Sequence, residues 1–402
     1  MSSTLDEICK FYSGTGFPNK FQGKRNGKYP FVKVGDISRT VKKGNITLTK
    51  SQNYINDDVV NKINGKIVPK DTIIFAKIGE ALKLNRRVIT NKECLIDNNI
   101  LGIKPKTNKI DLKYLFYFMN HLKLEKFSES TTVPSVRQTR LKSITINIPS
   151  IDEQLEIVNI LENINKAVLL KREQLSKLEI LIKARFVEMF GDPISNNFNW
   201  NTTKLKNITS KITNGSTPKG GSKNYVNSGV MFLRSQNIWR NHIDSSDVVF
   251  ISEKTNLKLQ KSVLKNNDIL ITKTGRINTQ NSSLGRAALY SGKDNSANIN
   301  GHVYLIRLKN HNLVLPRFLV TVLTGEAYRK YIRKVCVGGI DKRQINLNQV
   351  ENFPIILPPV KKQQEFISLI QQVDKSKFEN IVYLNKTLSS KILSQIGDVI
   401  RD

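Results

Sequence analysis

The stretch "IPSIDEQLEIVNIL", Ile148–Leu161, decides the fold because a second version of it, "LPPVKKQQEFISLI", Leu357–Ile370, lies 209 positions further on. Each runs from proline through a polar turn and a glutamine into an apolar helix. Proline is tolerated at a helix start, and Asp152 and Glu153 occupy the first turn, where the helix dipole favours anions. From Ile157 the apolar positions Leu161, Ile164, Val168, Leu175, Leu178, Ile182 and Met189 keep three- and four-residue spacing, interrupted by Lys171 and Arg185. That pattern is a seam on one face of a long helix, which Gly191 and Pro193 then stop. About 40 such residues would span roughly 60 Å. The second stretch opens a similar seam: Phe366, Ile370, Val373, Ile381, Leu384, Leu388, Ile392 and Ile396. Two seams in one chain can cover each other, so an antiparallel intramolecular coiled coil is expected. The alternative is that each helix lies on its own domain.

Outward from these stretches the chain repeats. "FVKVGDI" (Phe31–Ile37) pairs with "FLRSQNI" (Phe232–Ile238), "IIFAKIG" (Ile73–Gly79) with "ILITKTG" (Ile269–Gly275), and "VRQTRL" (Val136–Leu141) with "KRQINL" (Lys342–Leu347). The order is conserved between copies and the offsets drift only between 196 and 209 residues, so the chain is two copies of one unit. Charge follows the same division. Of the formal net +31, residues 1–150 contribute +15 and 201–350 contribute +17, whereas 151–200 carry −2 and 351–402 carry +1. Two cationic blocks therefore alternate with two nearly neutral helical segments. Phosphate is the natural counterpart of such blocks, and an apolar, near-neutral seam suits protein. Short β-branched runs such as "IIFAKI" and "ILITKT" read as strands, while Asp111–Phe127 and Pro316–Lys334 carry helical periodicity. Each block is thus expected to be α+β with a β core.

At 402 residues the chain is long enough for two cores. No leader-like start and no apolar run long enough to cross a membrane is evident, which favours a cytoplasmic protein. Cys9, Cys94 and Cys336 are too dispersed for a disulfide framework or zinc knuckle, and the four histidines lack metal-ligand spacing. No GxxxxGK[ST] phosphate loop is present. "FYSGTG" (Phe11–Gly16) has a counterpart in "TNGSTP" (Thr213–Pro218), so a shared turn is a better reading than a cofactor loop. "DLK" (Asp111–Lys113) suits a helix cap better than a nuclease motif. No catalytic constellation and no metal site is expected.

The two glutamine-bearing stretches, the junction "FGDPISNNFNW" (Phe190–Trp200), and "GSTP" followed by "FLRSQNI" and "ILITKTG" resemble the DNA-specificity subunits of type I restriction-modification systems. The resemblance spans nearly the whole chain. It implies two target-recognition domains, 1–150 and 193–357, separated by long helices at 151–192 and 358–402 that pair antiparallel. It further implies a non-catalytic subunit whose domains each read one half of a bipartite site in double-stranded DNA. The helices would set the gap and dock two methyltransferase subunits, which bind S-adenosylmethionine and methylate adenine. Motor-nuclease subunits, with ATP and Mg, would join that assembly. One departure is that the first copy starts without a counterpart of "NFNWNTT" and has "GTGFP" where the second has "GSTP". A stand-alone two-domain nucleic-acid binder is the competing reading.

Candidate DNA contacts are polar residues beside strands. Lys33 with Arg234, Lys77 with Lys273, and Arg137–Gln138 with Arg343–Gln344 match between copies, which suits backbone contacts. Gln236, Asn237, Arg240 and Arg276 differ from their counterparts and are candidates for base contacts. Candidate seam and partner-binding residues are Ile157, Leu161, Ile164, Val168, Leu175, Leu178, Ile182, Phe366, Ile370, Val373, Leu384 and Leu388.

Overall fold

A computed structural model describes residues 2–128, 133–279 and 281–397, with side chains up to Tyr383. It divides into two compact units, residues 1–174 with 379–402 and residues 175–378, so each boundary falls inside a long helix. Those helices run Ile151–Phe190 and Val360–Gly397.

Each unit carries the expected β core. In the first, a five-stranded sheet runs in the order Cys9–Ser13, Ile100–Pro105, Ile73–Ala76, Arg87–Thr90, Thr47–Leu48. In the second, the corresponding sheet is Thr209–Asn214, Val303–Leu308, Ile269–Thr272, Ala287–Leu289. Each unit adds a second sheet containing one parallel pair, Phe31 opposite Leu95 and Phe232 opposite Asn298. "IIFA" and "ILIT" are buried at every position, which is why they read as unbroken apolar runs and not as alternating strands.

Although the first copy starts without a counterpart of "NFNWNTT", its edge strand is present. Ser2–Thr4 pairs with Thr145–Asn147 as Thr202–Lys204 pairs with Pro354–Ile356, so the first domain closes as the second does. The shared turn is also confirmed. A Cβ on Gly14 would lie 1.9 Å from the Asp97 carbonyl oxygen, and one on Gly215 would lie 2.1 Å from that of Ile299. Backbone approach demands glycine at both positions. Asp111 caps its helix, accepting from the amides of Lys113 (2.8 Å) and Tyr114 (3.0 Å). The periodic segment 316–334 is in fact two helices, Pro316–Thr324 and Glu326–Val335, because Gly325 is extended and serves as the end of one and the start of the other.

The glutamine of each opening motif proves to be the joint between domain and helix. Gln154 is fully buried; its Oε1 accepts from the Asp111 amide (2.8 Å), and its Nε2 donates to the carbonyls of Lys109 (2.8 Å) and Pro149 (3.0 Å). Gln363 is equally buried, accepting from the Leu315 amide (2.9 Å) and donating to Leu313 (2.8 Å) and Pro358 (2.8 Å). A primary amide offers an acceptor and two N–H donors in one plane, and both copies use all of them.

The helices pair antiparallel. In the second unit the Phe366 ring lies 5.5 Å from those of Phe186 and Phe190, while Lys377 and Glu179 approach to 3.8 Å. In the first unit Lys171 Nζ sits 5.5 Å above the Tyr383 ring. Moving backward on one helix from Phe186 to Glu179 to Lys171 therefore moves forward on the other, from Phe366 to Lys377 to Tyr383. Ile164, Val168 and Val373 are buried and Leu175 and Leu178 half-buried, as the seam requires, whereas Leu161 with Ile157 packs into the first domain core and Phe366 and Ile370 with Ile182 into the second, as the alternative of a helix lying on its own domain would have it. Ile381 is a correction: it is 47% exposed, because Lys377 and Asn380 hold the inner positions on that turn. Leu384, Leu388, Ile392 and Ile396 lie outside the residues whose side chains are described. Val158, Phe186 and Phe190, not anticipated as seam residues, join the domain cores.

Candidate nucleic-acid interface

The candidate contacts fall into separate neighbourhoods. In the second unit, Thr274–Arg276, Lys342–Gln344 and Val337–Gly338 form a three-stranded antiparallel sheet, which brings Lys273, Arg276, Arg343 and Gln344 together. Arg276 stands opposite Lys342 and Thr274 opposite Gln344, so these four share one face and Arg343 takes the other. Arg276 is exposed and pairs with Asp341 at 3.3 Å; Arg343 Nε donates to the Gly339 carbonyl at 3.2 Å. Lys273 extends over the Tyr304 ring, with Nζ 5.8 Å from its centre.

The first unit has the corresponding crossing. The Lys77 carbonyl accepts from the Val136 amide at 2.9 Å, as that of Lys273 accepts from Ile345 at 3.0 Å, so the Lys77–Lys273 match holds. The same bonds correct the register of the third repeat window. Val136 corresponds to Ile345, which aligns Arg137 with Asn346, and both residues precede short helices, Gln138–Lys142 and Leu347–Glu351. Arg343 and Gln344 instead lie in a strand, so the shared "RQ" is a coincidence displaced by three residues. Gln138 is half-buried and accepts from the Ser13 hydroxyl at 3.3 Å, whereas Arg137 is exposed.

The "FLRSQNI" candidates are largely consumed inside the domain. Asn237 is 1% exposed; its Oδ1 accepts from the Arg234 amide (2.9 Å), and its Nδ2 donates to the carbonyls of Asp244 and Asp247 (both 3.1 Å). A side chain so placed cannot reach a base edge without dismantling its loop, so Asn237 is a structural residue and the expectation of a base contact is corrected. Asp36 plays the same part in the first copy: it is 2% exposed, and its Oδ2 accepts from the Lys33 amide at 2.9 Å. Arg234 pairs with Asp247 at 3.0 Å, and Gln236 Nε2 donates to the Asp247 carboxylate. Lys33 Nζ donates to Gln22 Oε1 at 3.0 Å.

Arg240 belongs to a cluster that motif reading missed. Arg286 lies 8% exposed with its guanidinium carbon 3.9 Å from the centre of the Trp239 ring, and its Nε donates to the Ser282 carbonyl at 3.0 Å. Trp239 in turn stacks near His242, ring centres 6.2 Å apart. Burial and the fields of Arg329 and Arg286, with a smaller push from Arg333, hold the Arg240 guanidinium below its ordinary range. Glu326, which pairs with Arg329 at 3.1 Å, is the carboxylate that opposes this. The charges bearing on Arg240 are thus three guanidiniums against one carboxylate, a region of positive potential suited to phosphate oxygens, with Arg286 itself buried. The sequence signals were the 3–4 spacing of Arg329, Lys330, Arg333 and Lys334 in one helical segment and, separately, Arg240 directly after one of only two tryptophans.

Among the described residues no three His, Cys, Asp or Glu side chains converge as a metal site requires, and no helix is long and apolar enough to cross a membrane.

Comparison with known proteins agrees with this geometry. The family model described as "Type I restriction modification DNA specificity domain" matches residues 1–180 and again 197–389, once for each copy of the repeat. The specificity subunit of the type I restriction enzyme MjaIX of Methanocaldococcus jannaschii is 24% identical over 98% of this chain and 90% of its own length. The crystal structure of the type I restriction-modification S subunit from M. genitalium superposes with a TM-score of 0.52 at 14% identity, covering 100% of this chain and 96% of that one. A chain from a structural study of type I restriction-modification complex assembly and conformational transition gives a TM-score of 0.59 at 16% identity, covering 98% and 96%. With two family matches that together span most of its length, the chain belongs to the family of DNA-specificity subunits of type I restriction-modification systems.

Proposed function

We propose that this chain is the non-catalytic reader of a type I restriction-modification complex. Each basic domain binds one half of a bipartite site in double-stranded DNA, and the paired helices fix the gap and dock two methyltransferase subunits. The observation that carries this reading is the duplicated joint: each cationic domain is pinned to the start of its own long helix by the same buried glutamine. A rigid joint converts helix length into spacing between half-sites, which a flexible tether would not do.

In this reading Lys77, Lys273, Arg137, Arg343 and the exposed members of the cluster around Arg240 neutralise phosphates, while Arg276 and Gln344, on one strand face, are placed to reach base edges. The methyl donor S-adenosylmethionine belongs to the methyltransferase subunits, and ATP and Mg to the motor-nuclease subunits. Apolar side chains on the outside of the first long helix, among them Leu155 (48% exposed), Ile180 (60%) and Val187 (59%), supply a surface for the methyltransferase subunits.

The test is co-expression with the methyltransferase subunit, followed by mapping of methylated adenines. A two-part motif with a gap of constant length is expected. Inserting one heptad into each long helix, which preserves their mutual seam, should lengthen that gap and leave both half-sites unchanged. A chain that binds DNA but forms no stoichiometric complex with a methyltransferase would instead be a stand-alone binder.

A further inference from the structure

The segment from Arg329 to Arg343 carries six lysines and arginines against one carboxylate, Asp341, and places an exposed aliphatic side chain, Ile340, among them. Ile340 is 89% exposed, the highest among the large hydrophobic residues described. It occupies the turn between Val337–Gly338 and Lys342–Gln344, in the sequence "VGGIDK". Leaving an isoleucine in water is unfavourable, and a well-folded hairpin does not require one at its tip.

The hairpin is nevertheless held in place. Its strands pair Val337 with Gln344 and Gly338 with Arg343; Thr274–Arg276 extends the sheet; and the Ile277 amide donates to the Asp341 carbonyl at 3.0 Å. Two glycines permit this geometry. Gly338 has φ +130°, and a Cβ there would lie 2.9 Å from the Lys342 carbonyl oxygen, while one on Gly275 would lie 2.3 Å from the Leu284 amide nitrogen. An apolar point is thus presented on a rigid, cation-flanked mount.

We propose, on the reading of the chain as a DNA reader, that Ile340 is a DNA probe. The flanking cations, Lys342 and Arg343, engage phosphates, and the side chain leaves water against the apolar surface of the bases. That surface is either a thymine methyl in the major groove or the faces of a partly opened base step. Charge complementarity selects a polyanion over a protein surface for this tip, since its apolar contribution is two side chains, Ile340 and the 44%-exposed Val337, inside a cationic rim.

The experiment measures binding of the full chain, assembled with its methyltransferase subunits, to a duplex bearing the sequence methylated in cells and to a scrambled duplex of equal length. Ile340→Ala should weaken the cognate complex about fifteen- to sixtyfold, which is the loss of two or three buried methylene equivalents. Scrambled DNA and the salt dependence should be unaffected, because no charge has changed, and Ile340→Leu should restore most of the affinity. If the contact is a thymine methyl, uracil at one half-site position will reproduce the loss in the wild type and add nothing in Ile340→Ala. If it is an opened step, 2-aminopurine placed away from the methylated adenine will brighten with the wild type only. Unchanged cognate affinity in Ile340→Ala, or loss of methyltransferase assembly in its place, overturns the proposal. A wild-type complex that does not distinguish the two duplexes overturns the reader function itself.

Discussion

Replacing Gln363 with alanine removes three hydrogen bonds at once: one from the Leu315 amide and two to the carbonyls of Leu313 and Pro358. Each buried bond contributes roughly 1–1.5 kcal/mol net, so the local cost is about 3–5 kcal/mol if the vacated space stays dry. A water molecule that bridges the three groups would lower this to about 2 kcal/mol. The chain has two compact units, so a single unfolding midpoint would blur an effect local to one of them. Amide hydrogen exchange resolves it. Protection of the Leu315 amide should fall about thirtyfold in the wet case and about 150-fold to several thousandfold in the dry one. Gln154→Ala should do the same to the Asp111 amide and leave Leu315 unchanged, since the joints are equivalent and separate. Glutamate at either position should be no better, because a carboxylate cannot donate to the two carbonyls. Unaltered protection at both amides in the alanine variants would refute the claim that these glutamines hold the helices to their domains.

Phe186→Ala should destabilise the second unit by about 3–5 kcal/mol, because its ring packs against Phe190, Phe318 and Phe366; thermal unfolding followed by near-UV circular dichroism would report it. Lys77→Ala and Lys273→Ala should each weaken binding to all DNA sequences and flatten the logarithmic salt slope by about one, read by anisotropy titration. Burial pushes the thiols of Cys9 and Cys94 from 9.0 up to about 12. The folded state therefore retains those two protons where the unfolded state loses them, and the stability they contribute is intact below pH 9 and falls as pH climbs towards 12. At pH 8 neither thiol should react with a disulfide reagent until the chain is unfolded.

The duplicated plan, the two seams and the division of charge were legible because each is written in contiguous residues. Spacing of three and four along Leu161–Ile182 survives folding unchanged, and so does the count of cations in a block. The joints were half legible: the glutamine stood out as a repeated letter, but its role depends on carbonyls some 45–50 positions away. What only the tertiary structure decided is which polar groups are left for a ligand. Asn237 looked like a base reader, yet Asp244 and Asp247 fold back to consume its amide; Arg343 looked like the twin of Arg137, yet chain crossings set their equivalence three residues apart. Arg286 gathers with Arg240 and Arg329 only because strand and helix meet there, and Ile340 is informative only because nothing covers it. Periodicity is a local property of the chain, whereas partnership and exposure are settled by distant segments brought together in space.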